Sequence, residues 1–536
     1  MKLYRQVVNG LLTGCLILGL AACGGNPGAT ETGDPAQTSG INETQSVGSD
    51  EIVVNVSDNV TLINLEVYAN NNSCEFLYAD LVFDPLYYGD RQGNNSPCIC
   101  TSYELNEDGT EVTLHIKEGV KFHDGTDLNA EDVVATFEFM LRNMDTLGLA
   151  GAVWANLEGV ELIDQNTCKI TLTEYFATLE NSLTYTWILS DEDIAQYGDD
   201  FQSAERVING SGPWKFVEWQ DGQYVRYTPN ADYWDPESVS NIDTLNVWFV
   251  NQENAKVSGI TSGDLDYAQS LRSDMIPMVE DLEGVEVIEY TSDVMYYMQF
   301  DCAEDSIFSD PNARKAVAHA LDVDTALSLV GGGEKMNCMF LPSLLGYDER
   351  IEGYNYNPDL AREYLAQTDY NGEALTLYTR NDLVAIDDVM AVFIQNLTDV
   401  GFNINTKICD SAEFVTIRQD PSAYDIFFVN LGAFDADPYT LYIIPRIVND
   451  AHNSYYYNEE LNNLIMSSYT TTDAAERENM LKEVAQIVYD ECGPVLGLYA
   501  SNSYCVIREG LEGVLVTKGA GPYFRYARVD ETVWNK

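Results

Sequence analysis

Positive charge is what this chain has least of. Its 536 residues carry 28 Lys and Arg against 86 Asp and Glu, a formal net charge of −58. A surface that negative repels phosphate backbones, which excludes nucleic acid as a partner. Histidine is scarcer still. His115, His123, His319 and His452 lie far apart, and neither HExxH nor CxxC occurs. A catalytic transition metal therefore has no support, and no cofactor is expected. The chain also lacks a GxSxG elbow, a Walker loop and a GxGxxG that opens a helix, so no enzymatic activity is expected. Beyond the first 22 residues there is no apolar run of about 18 residues, the length that a membrane span needs. Acidic clusters such as Asp191-Glu192-Asp193 are expected by chance among 86 carboxylates and read as solvated surface. Asp124, Asp127, Glu131 and Asp132 lack the spacing of an EF-hand and read as helix-capping acids.

What is present begins with an export signal. Lys2 and Arg5 form a basic start, Val7 to Ala22 carries no charge, and Leu20-Ala21-Ala22-Cys23-Gly24-Gly25 follows. That last segment resembles a bacterial lipobox, in which the Cys23 thiol takes the diacylglycerol. Residues 1–22 are thus expected to be a signal peptide, and two acyl chains on Cys23 suffice for stable anchoring. Residues 23–50, rich in Gly, Ser, Thr, Asn and Pro, read as a flexible tether with a reach of about 30 Å. Without Cys15 and Cys23 an odd number of cysteines remains, at spacings that form no disulfide framework. Cys98-Ile-Cys100 reads as a pair of small loop residues, with a bridge or a metal corner shared with Cys74 as the alternative.

From Glu51 onward strands alternate with helices. Val112, Leu114 and Ile116 alternate as in a half-buried strand. Asn129 caps a helix with Asp132 at its third position, and Val133, Val134, Phe137, Met140 and Leu141 form its apolar stripe. Asp310-Pro311 opens another helix. Between 357 and 430 the pattern is helix, strand (Leu375–Tyr378), helix ending at Gly401, strand (Phe402–Lys407), short helix, and strand (Tyr424–Asn430). A long helix from Asp473 to Glu491 then leads into a strand over Val495–Tyr499. Such alternation implies α/β lobes.

One core segment is Leu114-His115-Ile116-Lys117-Glu118-Gly119-Val120-Lys121-Phe122-His123-Asp124-Gly125-Thr126, followed by a helix opening on Ala130-Glu131-Asp132-Val133. Gly210-Ser211-Gly212-Pro213-Trp214, Asn230-Ala231-Asp232-Tyr233-Trp234, Gly263-Asp264-Leu265-Asp266, Asp310-Pro311-Asn312-Ala313-Arg314, Tyr356-Asn357-Pro358 and Gly493-Pro494-Val495 follow in order. Together, and in this order, these segments resemble the extracellular solute-binding proteins, family 5, of ABC importers, which include the dipeptide and oligopeptide receptors. The resemblance implies an α/β, two-lobe periplasmic-binding-protein-like fold (type II, cluster C). It places lobe I at 51–300 with an extra subdomain inserted at about 80–205, lobe II at 301–497, and a return to lobe I at 498–536. The crossings between lobes are expected near Met298–Asp301 and Leu496–Ala500, and Trp214 and Trp219 are expected to pack rather than recognise.

The resemblance further implies a monomeric receptor on the extracellular face of the bacterial cell membrane. It would close its lobes on a small solute, a peptide by default, and present it to the transmembrane subunits of an ABC permease. In the peptide receptors an aspartate pairs with the ligand's α-amine; aligned on Pro438 that position falls on Phe434, with Asp435 one residue later. A pocket tryptophan of the dipeptide type falls on Leu431, and an arginine of the oligopeptide type near Phe428. Asp435 takes the amine role if the loop is displaced by one residue. Otherwise Phe434 becomes a stacking wall, and an oligosaccharide or other non-peptide solute is the alternative. Core packing for Phe434, and turn capping for Asp435 and Asp437, are the competing structural roles. Tyr297 and its neighbour Tyr296, at the expected crossing, are candidates for the cleft lining. A surface hydrolase and a sensory lipoprotein are the remaining readings.

Overall fold

The computed structural model describes residues 51–534, apart from residues 60–61, 63–64, 69–72, 91–93, 145, 199–207, 338–339, 419–420, 433–436, 439–454 and 517–521. Cys23, the signal peptide and the tether lie outside the described residues. The helices start where the sequence caps them. Asn129 accepts from the Glu131 backbone N–H while the Asp132 carboxylate accepts from the Asn129 N–H, a reciprocal capping box opening helix Ala130–Asn143. Asp310 caps Pro311–Ala320, Asn357 caps Pro358–Leu365 and Asp473 caps Ala474–Glu491.

An 11-stranded sheet runs through the molecule. Its second-lobe half consists of Asn403–Cys409, Ala374–Arg380 and Ile426–Gly432, all parallel. Its first-lobe half consists of Tyr267–Leu271, Val53–Asp58, Thr244–Phe249, Tyr224–Pro229 and Trp214–Gln220, and the short strand Gly333–Lys335 pairs off this path with residues 499–501. Two long antiparallel strands, Val285–Phe300 and Val495–Arg508, join the halves. Residues 294–300 of the former pair with Ile426–Gly432, and residues 504–507 of the latter pair with Tyr267–Leu271. The handover falls in mid-strand, where the register shifts between Thr291 and Met295 opposite Ala500–Asn502. That precedes the expected crossing at Met298–Asp301 by three residues and meets the end of the other, Leu496–Ala500, at Ala500. The reason is that the apolar ends of both strands are already second-lobe core.

Each half has its own core. Trp154, Trp187, Trp214, Tyr78 and Phe137 lie in the first, Tyr297, Phe300, Phe393, Phe428 and Tyr499 in the second. The four-stranded antiparallel sheet of Cys100–Leu105, Glu111–Ile116, Thr167–Leu172 and Leu157–Asp164 is separate from the large sheet but shares the first core. Cys98 and Cys100 are buried free thiols there, and burial pushes Cys100 up to about 12.

The sequence motifs meet in this lobe. The His123 N–H donates to Gly210 O at 2.7 Å, its Nε2 lies 3.0 Å from Gly212 O, and Lys215 Nζ donates to His123 O at 3.2 Å. Gly210 and Gly212 are glycines because a Cβ there would stand 1.9 Å from Val82 O and 2.5 Å from Leu81 O respectively. The contact with a carbonyl requires the proton on Nε2. Burial depresses the His123 pKa to about 4, against an ordinary value near 6.5. The folded pKa is the lower one, so the neutral ring's contribution is complete above about pH 6.5 and is lost as pH falls towards 4. The expected size is about 3 kcal/mol over that window. Denaturant midpoints measured from pH 7 to 4 should therefore fall more steeply for the wild type than for His123→Asn. Equal slopes would mean that the imidazole protonates without cost.

Candidate functional site

Both long strands change character where they change lobes. Thr291-Ser292-Asp293 interrupts one apolar run and Ser501-Asn502-Ser503 the other. Pairing is irregular there, and a cavity of about 680 Å³ opens over these polar residues. The first lobe lines it with Asn59, the start of helix Glu253–Ser262 and the segment Ser270–Arg272. The second lobe lines it with Asn430, Val330 and the loop Asp382–Ala385 that leads into helix Ile386–Val400.

Tyr296 forms part of the floor. Its ring stacks on Tyr499 at 4.7 Å between centroids and 12° between planes, and its hydroxyl bonds the side chains of Asn430 and Ser501. Burial raises its pKa, so the phenol remains a neutral hydrogen-bonding group. The two acids of the lining are each held by an arginine. Glu253 pairs with Arg272 at 3.0 Å, and Asp382 takes a two-pronged contact from Arg380 at 2.7 and 2.8 Å. Lys256 is 1% exposed, donating to Asn59 Oδ1 and, at 2.8 Å, to Gln269 O. Half of the remaining lining is amide or hydroxyl (Asn251, Gln252, Asn254, Ser270, Ser292, Asn502 and Ser503) and the other half is apolar.

Two of the four non-glycine residues with positive φ among the described residues lie here. Ser270 (φ 54°) and Ala385 (φ 49°), one from each lobe, occupy the left-handed region that side chains disfavour, and both line the cavity. Ser270 sits in a bulge between Ala268 and Leu271, a device that redirects side chains beside functional sites. The described lining offers many hydrogen-bond donors and acceptors and a few paired charges. It has no histidine or cysteine to serve a serine as base or nucleophilic partner. It is suited to holding a polar organic solute.

The residues expected from sequence fall in different places. Tyr297 is 1% exposed in the second-lobe core, opposite Val429 and Gly497, while its neighbour Tyr296 faces the cavity. Asp437 forms an ion pair with Arg477 at 2.5 Å, and that arginine also donates to Ser468 O at 3.0 Å, away from the described cavity lining. Phe434 and Asp435 lie outside the described residues. Leu431 packs half-buried against the second core and Phe428 is 1% exposed within it. Trp214 is fully buried, its indole N–H shared by the carbonyls of Phe524 and Arg525. Lys256, the Glu253–Arg272 pair, Asp382 and Asn430 were not singled out by sequence. The usable signals were the two polar interruptions and the amide run Asn251-Gln252-Glu253-Asn254.

Comparison with known proteins agrees with this architecture. The family model described as bacterial extracellular solute-binding proteins, family 5 middle, matches residues 95–449. The chain is 24% identical over 493 residues to the glutathione-binding protein GsiB of Escherichia coli O1:K1, covering 89% of this chain and 94% of that protein. Among solved structures, the ABC transporter substrate binding protein CtaP of Listeria monocytogenes superposes with a TM-score of 0.77 at 19% identity, over 88% of this chain and 99% of that one. The oligopeptide-binding protein AppA of Bacillus subtilis, solved in complex with a nonapeptide, gives a TM-score of 0.70 at 21% identity, over 90% and 100% of the two chains.

Proposed function

The chain belongs to the bacterial extracellular solute-binding proteins of family 5, and from that premise we propose that it captures a peptide between its lobes for an ABC importer, without chemical conversion. The observation that carries this reading is the polar cavity at the mid-strand handover, where a solute touches both lobes and the strands that join them. Closure around such a solute gives a permease a loaded shape to recognise. The peptide is favoured over a sugar because the described lining has one aromatic ring, Tyr296, and an abundance of amides that match peptide N–H and C=O groups. The names of the relatives point the same way, to glutathione and to a nonapeptide. Asp435 is the proposed partner of the ligand's amine, since a buried ammonium needs a charged partner. Cys23 is the proposed lipid attachment, holding the receptor outside the cell on the tether of residues 24–50; none of the described helices is long and apolar enough to cross a membrane.

The test is a thermal-shift screen of ligand-stripped protein against separate peptide and neutral oligosaccharide pools. A ligand at 100 times its Kd adds about 2.7 kcal/mol, enough to move Tm by a few degrees. Stabilisation by peptides supports the reading. Stabilisation by sugars alone would replace it with the oligosaccharide reading.

A further inference from the structure

We propose that Lys256 is the counter-charge for a carboxylate of the solute, so that the cavity selects acids whose carboxylate is presented to the first lobe. The inference deepens the reading above and rests on the cavity being the solute site.

The described lining carries two cations. Arg272 is already engaged by Glu253 at 3.0 Å and by Asp274 at 3.3 Å. Lys256 is different: its ammonium donates only to neutral oxygens, those of Asn59 and Gln269, and among the described residues no carboxylate stands within 4 Å of it. Asp58 and Glu253 act on it from farther away. Of the lining acids, Glu253 belongs to Arg272 and Asp382 to Arg380. The described site therefore contains one buried positive charge with no ion-pair partner, in a chain whose net charge is −58.

A buried ammonium resting on neutral acceptors retains most of its desolvation cost, and the Lys256 pKa is drawn down to about 8 by burial. A carboxylate entering the cavity supplies the missing anion where water is excluded and the attraction is least screened. The same contact is unavailable to an amide or a neutral sugar. Asn59 and the Gln269 carbonyl orient the ammonium from the side of the first lobe. A zwitterionic peptide would then present its carboxylate to Lys256.

The experiment titrates the protein and its Lys256→Gln and Lys256→Arg variants with a pool of short neutral-residue peptides and with the same pool amidated at the C-terminus. Glucuronate against glucose forms a second pair. The wild type is expected to prefer the acid pool by about 10-fold or more. Lys256→Gln should lower the affinity for the acid pool to that for the amidated pool, erasing the preference, and Lys256→Arg should restore part of it. An acid-to-amide ratio unchanged in Lys256→Gln overturns the inference and leaves peptide capture standing. Preference for glucuronate with the same Lys256 dependence, and no peptide binding, keeps the carboxylate site and overturns the peptide reading. If no acid is preferred to its neutral partner, the inference fails, and the amidated pool alone decides the peptide reading.

Discussion

Replacing Asp84 with alanine is expected to destabilise the first lobe by about 3–5 kcal/mol, the usual cost of stripping one partner from a buried ion pair. Asp84 is fully buried and Arg525 is 1% exposed. The carboxylate accepts from the Arg525 guanidinium, from Tyr233 OH at 2.9 Å and from Trp234 Nε1 at 3.1 Å. Arg525 also donates to the carbonyls of Asp80 at 2.5 Å and Phe83 at 3.3 Å, so this cluster ties the C-terminal segment of the chain to the end of helix Ser73–Val82. Alanine at 84 leaves the guanidinium buried without an anion. Tm should fall by about 10 °C. Asp84→Ala combined with Arg525→Met should recover part of the loss, because the stranded charge is gone. A single-variant loss under about 1 kcal/mol would mean that the pair is solvated and that the lobe does not depend on it.

The second large effect concerns binding. Ser292 lies on the cavity floor at the handover, its hydroxyl accepting from the Val294 N–H at 3.2 Å. An indole at this position occupies the space between the lobes without entering either core. Ser292→Trp should therefore remove the ligand-induced stabilisation. A peptide concentration that adds about 2.7 kcal/mol to the wild type should add essentially nothing, a loss of affinity of 100-fold or more. The unliganded Tm should change little. A full ligand shift in Ser292→Trp would place the binding site elsewhere.

The motifs that announced the family and the residues that line its cavity are separate sets, for a physical reason. His123, Gly210, Gly212 and Trp214 solve packing problems: two close backbone approaches and a buried histidine that must stay neutral. Such solutions allow few alternatives and leave recognisable segments. The cavity is lined by Asn, Ser and single charges drawn from segments as distant as Asn59 and Ser503, residue types unremarkable on any surface. Helix caps such as Asn129 and Asp310 were legible because capping is decided locally. The strand read as Val495–Tyr499 extends to Arg508, and its continuation was hidden by Ser501-Asn502-Ser503. The polar interruption that ended the strand in the sequence lines the cavity itself. Tyr296 and Tyr297 show the limit of pattern alone. They are adjacent residues on one strand, and only the sheet pairing decides which one meets the core and which the cavity.

The most direct measurement of the central claim is equilibrium dialysis of the ligand-stripped protein against a defined peptide pool, followed by mass spectrometry of what is retained and what remains outside. The account predicts that a subset of peptides is enriched with the protein in about 1:1 amount, with every mass unchanged. No enrichment, or the appearance of shorter products, would contradict it: the first denies capture and the second makes the cavity an active site.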